Sequence, residues 1–420
     1  MTISKDNIYK IEYILIFIPL LARFLTDNFG FTYAIMPIFD LIALIGILLS
    51  RYLTRRCNKE AMIVEKWLFL FIVAGVLSII VNGGSSFSNL FYSARPYFRM
   101  IGAMIITALS FDLRKINRMT RYMEVLLYIN AAVMTFQYVF MGLRQDVIGG
   151  TFGNSQGCNA IQNILCAFIF AVTVERFLKK RCTKRKLIIN TVIVLYISIL
   201  AEINVLIFEL SIIGILSLVL NKSSALHIKK RNLFLICAGI AGCIVALSLF
   251  MKFNSDRVFL LSLNNILEYL GFNEGNTGVY RISRMKVFSQ LGKAFYENNL
   301  LKWLFGFGLG NCSTHSTFYM RFSSLQYTYF SSSNVFLETG LCGVFVNIGV
   351  LLNGLYSAIS KKKIVRDTEQ LTWLNISIVM ILIMIMMFFY NTTLRDSYTA
   401  FFAGTIIAIP YIIRGCEGVK

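Results

Sequence analysis

Apolar residues run along this chain in long, nearly unbroken stretches, and polar residues collect in the gaps between them. Twelve stretches stand out: 12–28, 33–50, 67–82, 97–111, 122–141, 158–177, 187–202, 204–220, 233–251, 334–357, 371–390 and 397–413. A hydrocarbon core roughly 30 Å thick needs about 20 residues of helix at a rise of about 1.5 Å each, and most stretches come near that length. The run 187–220 is ambiguous. As one helix it extends about 50 Å, too long for a bilayer, and Glu202 and Asn204 interrupt its middle. Two spans joined by a tight turn are predicted. The first stretch carries Arg23 and Asp27, lacks a small-residue cleavage site and is followed by further spans, so it reads as a span and not a signal peptide. The expected fold is an all-α polytopic membrane protein of about 12 transmembrane helices. Nine lie in 1–251, an extracytoplasmic loop follows over 252–333, and three more lie in 334–420.

Composition agrees with that pattern. Hydrophobic residues make up 57% of the chain, with only four prolines, and the mean hydropathy is +0.67, far from the soluble range. The formal net charge of +20 is an orientation signal, because short cytoplasmic loops collect Lys and Arg. Every second connection is basic: Lys5 and Lys10, then Arg55 and Arg56, Arg114 to Arg121, Arg176 to Lys186, Lys229 to Arg231, Lys361 to Arg366, and Lys420. Both termini are therefore expected in the cytoplasm, and a basic face against anionic lipid explains the charge better than nucleic acid does. Nine cysteines form no CxxC pair. Only Cys158 and Cys312 fall on or near the outer side, and two unpaired thiols suit them better than a disulfide.

One connection breaks the rhythm. Residues 252–333, between spans nine and ten on the outer face, form a loop far longer than compact proteins ordinarily keep without a function. Within it Val279, Ile282, Met285, Phe288, Leu291 and Phe295 recur at helical spacing, so an amphipathic helix is predicted over 278–304. Its polar side carries Arg281 and Arg284, three apart and on one face. Two further arginines, Arg95 and Arg99, share a face at the mouth of span four, and Arg395 with Asp396 stands at the last outer turn. Arginines near span ends also snorkel to the interface. Several of them on the outer side, against the positive-inside trend, argue for a site that grips a diphosphate.

The order of these features resembles the O-antigen polymerase and O-antigen ligase superfamily, in particular its Wzy-type polysaccharide repeat-unit polymerases. The resemblance rests on Arg281, on "LFGFGLGN" at 304–311, on "SSSNVFLETGLCG" at 331–343 and on "GGTFGNSQGCNAIQNIL" at 149–165. It covers nearly the whole chain in topology, through short motifs. It implies a GT-C-like bundle in the cytoplasmic membrane, of the inner or plasma type. The implied enzyme transfers a glycan from an undecaprenyl diphosphate carrier to a sugar hydroxyl of a second lipid-linked unit. Inversion and independence of metal or any other cofactor are implied with it. So are membrane lipids, a chain-length regulator and a flippase as partners, for a product that is O-antigen, capsule or exopolysaccharide.

On that reading Arg281 and Arg284 hold the leaving diphosphate, helped by Arg95, Arg99, Arg395 and Asn334. His315 or Glu338 serves as the group that activates the acceptor hydroxyl. The family often has His-Asn at the start of span ten, where this chain has Ser333 and Asn334, and His315 is the outer-face substitute. The ligase branch tends to carry an arginine between spans seven and eight, where this chain has Glu202 and Glu209, so polymerase is preferred over ligase. The glycines of "GFGLG" lack the flanking strand of a nucleotide loop and read as a turn or a close approach to sugar. No carboxylate constellation has metal-binding spacing. The competing class is a transporter, above all a flippase for the same lipid-linked units, which is expected to have two similar halves and no dominant outer loop.

Overall fold

The computed structural model describes residues 8–32, 36–53, 59–83, 86–221, 282, 284 and 286–413. Among these residues the chain is helical, without a strand. The long helices are α1 (Ile8–Phe29), α2 (Met36–Leu53), α3 (Lys59–Asn82), α4 (Phe87–Ser110), α5 (Leu113–Phe140), α6 (Asn159–Leu178), α7 (Lys184–Leu200) and α8 (Asn204–Leu220). After three short helices, α9 (Val287–Leu291), α10 (Leu300–Phe305) and α11 (Thr317–Phe322), come α12 (Ser331–Ile364), α13 (Thr368–Tyr390) and α14 (Ala400–Ile412). Each apolar stretch marked in the sequence coincides with one of the long helices, save 233–251, which lies outside the described residues. Among the described residues six helical segments are long and apolar enough to cross a membrane: Met36–Leu53, Glu60–Asn82, Leu113–Phe140, Asn159–Leu178, Ser331–Ile364 and Thr368–Tyr390.

The side chains face the way a membrane solvent demands. On α2 the exposed face is Leu41, Leu44, Ile45 and Leu48, while the buried face includes Asp40, Ala43, Gly46 and Ser50. In water such a stripe would be an aggregation hazard. In hydrocarbon it is the lipid-facing side, and the small and polar residues turn inward to let helices approach. The centre of the bundle is α14, buried from Ala400 to Tyr411, packed against the second half of α4. Gly404 makes that crossing tight, because a Cβ there would strike the backbone carbonyl of Met100.

The run 187–220 does break in two. Ala201 caps α7, Glu202 adopts φ +56°, and the Ser198 hydroxyl donates to the Ile203 carbonyl at 3.1 Å. The amphipathic helix expected over 278–304 is not continuous across its described part. Its residues form α9, a π turn at Gly292–Tyr296, a break at Glu297 with φ +46°, and α10. Trp303 is the cause, since it packs where a Cβ on Gly292 would sit and so folds α10 back on the turn.

A second break shapes one end of the bundle. α12 is interrupted at Gly340 (φ +62°, ψ −158°), and a Cβ there would collide with the Leu304 backbone. The interruption frees carbonyls that hydrocarbon cannot satisfy. "GFGLGN" supplies the donors: Phe307 N–H bonds the Leu337 carbonyl at 2.7 Å and Gly308 N–H the Glu338 carbonyl at 3.0 Å. The Tyr296 hydroxyl adds a bond to the Phe336 carbonyl at 2.8 Å. Gly306 and Gly308 have positive φ, which this docking path requires. The glycines are thus a splint for a broken helix.

Candidate functional site

The first half of α4 organises the polar centre at this end of the bundle. Tyr92, Arg95 and Arg99, spaced by three and four, lie on one face, and Ser93 and Tyr97, four apart, on the next. On the first face Arg99 grips Asp40 of α2 with both prongs, Nε to Oδ1 at 2.6 Å and Nη2 to Oδ2 at 3.0 Å. Arg95 Nε stands 2.6 Å from Asp40 Oδ2. Its N–H is not aimed at that oxygen, so Nε and Nη1 of Arg95 are buried without a hydrogen-bond partner. The guanidinium lies 5.3 and 5.1 Å from the ring centroids of Phe91 and Tyr92, which meet edge to face.

On the second face the Ser93 hydroxyl donates to Glu338 Oε1 at 2.6 Å. Arg395, in the connection between α13 and α14, places Nη2 3.6 Å from Glu338 Oε2, an ion pair without a hydrogen bond. It lies 4.3 Å over the Tyr97 ring, which stacks on Phe71. Arg395 Nε is buried and lacks a hydrogen-bond partner. Two guanidiniums on neighbouring faces thus keep unfilled donors inside the protein, which is costly unless an anion comes to them.

A turn at 149–158 closes the site from the side of α1. Asn130 and Gln137 of α5 hold it: Gln137 Oε1 accepts from Gly150 N–H at 2.7 Å, and Asn130 Oδ1 from Thr151 N–H at 2.8 Å. Asp27 accepts from Asn154 N–H at 2.9 Å and from the Ser155 hydroxyl at 2.7 Å. Arg23 bonds Ser155 Oγ at 3.1 Å and the Gln156 carbonyl, and its guanidinium lies 5.7 Å over Tyr398. Asp396 lies between these groups. Burial pushes its carboxyl up to about 6, while Arg23 and Arg99 pull it back. The Cys158 thiol donates to Phe152 and Ser155 carbonyls, and Cys158 and Cys312 are both free.

The residues expected from sequence divide into three groups. Arg95, Arg99, Arg395 and Glu338 are brought together. His315 joins at the rim, exposed, with its ring 4.6 Å from that of Tyr92. Arg284 and Asn334 lie elsewhere at the same end: Arg284 stacks 4.2 Å over Tyr390, the last residue of α13, and Asn334 stands in the first turn of α12 with a buried, unbonded Oδ1. Arg281 lies outside the described residues. Glu338 is fully buried behind Ser93 and Arg395, so it holds Arg395 and has no open path to a sugar hydroxyl. Sequence reasoning missed Asp40, Ser93 and Tyr97. Asp40 was detectable, because an aspartate inside an apolar run is expensive in hydrocarbon and demands a partner.

The fold and the site define a multi-pass membrane protein whose helices enclose a charged cluster at one end of the bundle. No family model matches the chain, and no curated protein matches it.

Proposed function

We propose that the chain is a polysaccharide polymerase, a membrane glycosyltransferase that joins undecaprenyl-diphosphate-linked oligosaccharide units at the outer face of the cytoplasmic membrane. The twelve-span topology, with both termini inside, belongs to this reading. The observation that carries it is the pair of buried guanidiniums, Arg95 and Arg395, whose donors are unfilled beside Asp40 and Glu338. A lipid diphosphate is the leaving group whose charge such donors stabilise as the glycosidic C–O bond breaks.

In the reaction, the acceptor hydroxyl attacks the anomeric carbon opposite the C–O bond to the diphosphate. That bond breaks with its electron pair, the diphosphate departs as an anion, and the configuration inverts. The hydroxyl proton passes to His315, the exposed titratable side chain at the rim. Arg281 and Arg284 keep the diphosphate-binding role that the resemblance implies. Asp40 and Glu338 act as positioning residues, fixing Arg99 and Arg395 so that Arg95 and Arg395 present their free donors. The resemblance of "LFGFGLGN" and "SSSNVFLETGLCG" to the polymerase superfamily supports the same assignment, and a chain-length regulator and a flippase are then its partners.

The test is purified protein in proteoliposomes with defined lipid-linked repeat units, read as a glycan ladder on a gel. The expected result is a ladder from wild-type protein and none from Arg395→Gln or Arg95→Gln. Transfer of single units across the bilayer without a ladder would assign a flippase instead.

A further inference from the structure

The opposite end of the bundle holds a second charged cavity. α13 separates the two: Glu369 and Trp373 lie near its first turn and Tyr390 at its last, about 30 Å apart at about 1.5 Å per residue. The cavity, of about 220 Å³, is lined by Asn117 and Arg121 of α5, Arg176 of α6, Arg181 of the α6–α7 turn, and Glu369 and Trp373 of α13. It has room well beyond a single water.

Its charges do not balance. Arg176 lies half-buried 5.5 Å over the Trp373 ring and donates through Nη2 to Asn117 Oδ1 at 2.7 Å. Asn117 in turn donates to Glu369 at 2.5 Å, and Arg181 stands 3.4 Å from the same carboxylate. The exposed Arg121 adds like charge beside Arg176. Glu124, in the smaller cavity alongside, also acts on Arg176 and is itself paired with Lys186 at 2.7 Å. Across the two cavities four cations, Arg121, Arg176, Arg181 and Lys186, meet two carboxylates, Glu124 and Glu369. Trp373 is buried, and its ring lies under the Arg176 guanidinium in the cavity wall.

We propose that this cavity binds a phosphate group. Planar guanidinium forks suit phosphate oxygens, and interhelical basic pockets at a membrane surface are suited to anionic headgroups. The chemistry comes either from a phospholipid headgroup or from a soluble phosphate anion. Asn117 holds Arg176 and Glu369 holds Arg181 at the cavity wall, so the arginines are already in place for an anion.

The test uses the full chain in nanodiscs of phosphatidylcholine, with and without phosphatidylglycerol, and separately with inorganic phosphate. The readouts are the unfolding midpoint and retained lipid by native mass spectrometry. A ligand of the folded state raises the midpoint. Arg176→Gln and Arg121→Gln are each expected to weaken the response by about tenfold or more, as loss of a hydrogen bond to a charged group implies. Arg114→Gln, at a position 94% exposed outside the cavity, is expected to leave it unchanged. Should Arg176→Gln fail to fold, the exposed Arg121→Gln and Arg181→Gln carry the test. A response to phosphatidylglycerol alone assigns a headgroup, and a response to inorganic phosphate in neutral lipid assigns the soluble anion. An equal loss in Arg114→Gln, or no response to either ligand, overturns the site.

Discussion

Arg395 and Glu338, distant in sequence, meet inside the protein with Nη2 and Oε2 3.6 Å apart, the carboxylate fully buried and bonded by Ser93 on its other oxygen. Removing one partner of a buried pair strands the other charge, at a cost of about 3 kcal/mol or more. Arg395→Met and Glu338→Gln alone should therefore each lower the unfolding midpoint, and the double variant should recover part of the loss. A double-mutant cycle by thermal unfolding in detergent checks this, and strictly additive losses would remove the coupling.

The break in α12 depends on Gly340. A methyl there meets the Leu304 backbone and forces a left-handed φ on an L residue. Overpacking and φ strain together should cost about 2–4 kcal/mol. Gly142 also has a positive φ, of +66°, but nothing lies within 4 Å of its position, so Gly142→Ala pays only the strain, about 1 kcal/mol. Midpoints for the two variants should differ in that order, and equal losses would mean that the contact with Leu304 is slack.

Asp396 gives the charged end of the bundle a pH dependence. Its carboxyl is pushed up to about 6 by burial, against the pull of Arg23 and Arg99. A carboxyl that holds its proton more tightly when folded stabilises the protein below its ordinary value near 3.8, and this contribution is lost as pH rises through about 6. The wild-type midpoint should fall between about pH 4 and 6 relative to Asp396→Asn, which lacks the group, and level off above that. Thermal unfolding of both proteins across that range decides the matter, and an opposite slope rejects it.

If the cluster binds a departing diphosphate, losing a donor should act on the chemical step. Arg395→Gln and Arg95→Gln should reduce kcat about 100-fold or more with a smaller effect on KM. Lys302→Gln, in the first turn of α10 and not a member of the cluster, should leave both unchanged. Steady-state polymerisation by purified protein measures the difference, and a loss confined to KM would indicate simple substrate attraction.

Much of the architecture was legible in the sequence. Apolar length located the helices, because hydrocarbon fixes how much helix each span needs. Glu202 and Asn204 gave away the α7–α8 break, because charge and amide are poorly placed in mid-bilayer. The loop before α12 misled, since helical spacing over 278–304 persisted through a break that Trp303 and Gly292 impose by contact. Periodicity reports which side is buried and is blind to a neighbour that folds the segment back.

The sequence by itself determined the solvent, a bilayer, and many of the residue types that gather at the charged end, because apolar run length and charge placement are local properties. Only the tertiary structure decided which charges pair. It gave Asp40 to Arg99 and Arg95, closed Glu338 behind Ser93, left donors of Arg95 and Arg395 unfilled, and used the glycines of 306–310 to mend α12. The physical reason is reach: an ion pair or a borrowed hydrogen bond depends on angstroms between groups far apart in the chain, and the packing of α2, α4 and α12 sets those distances.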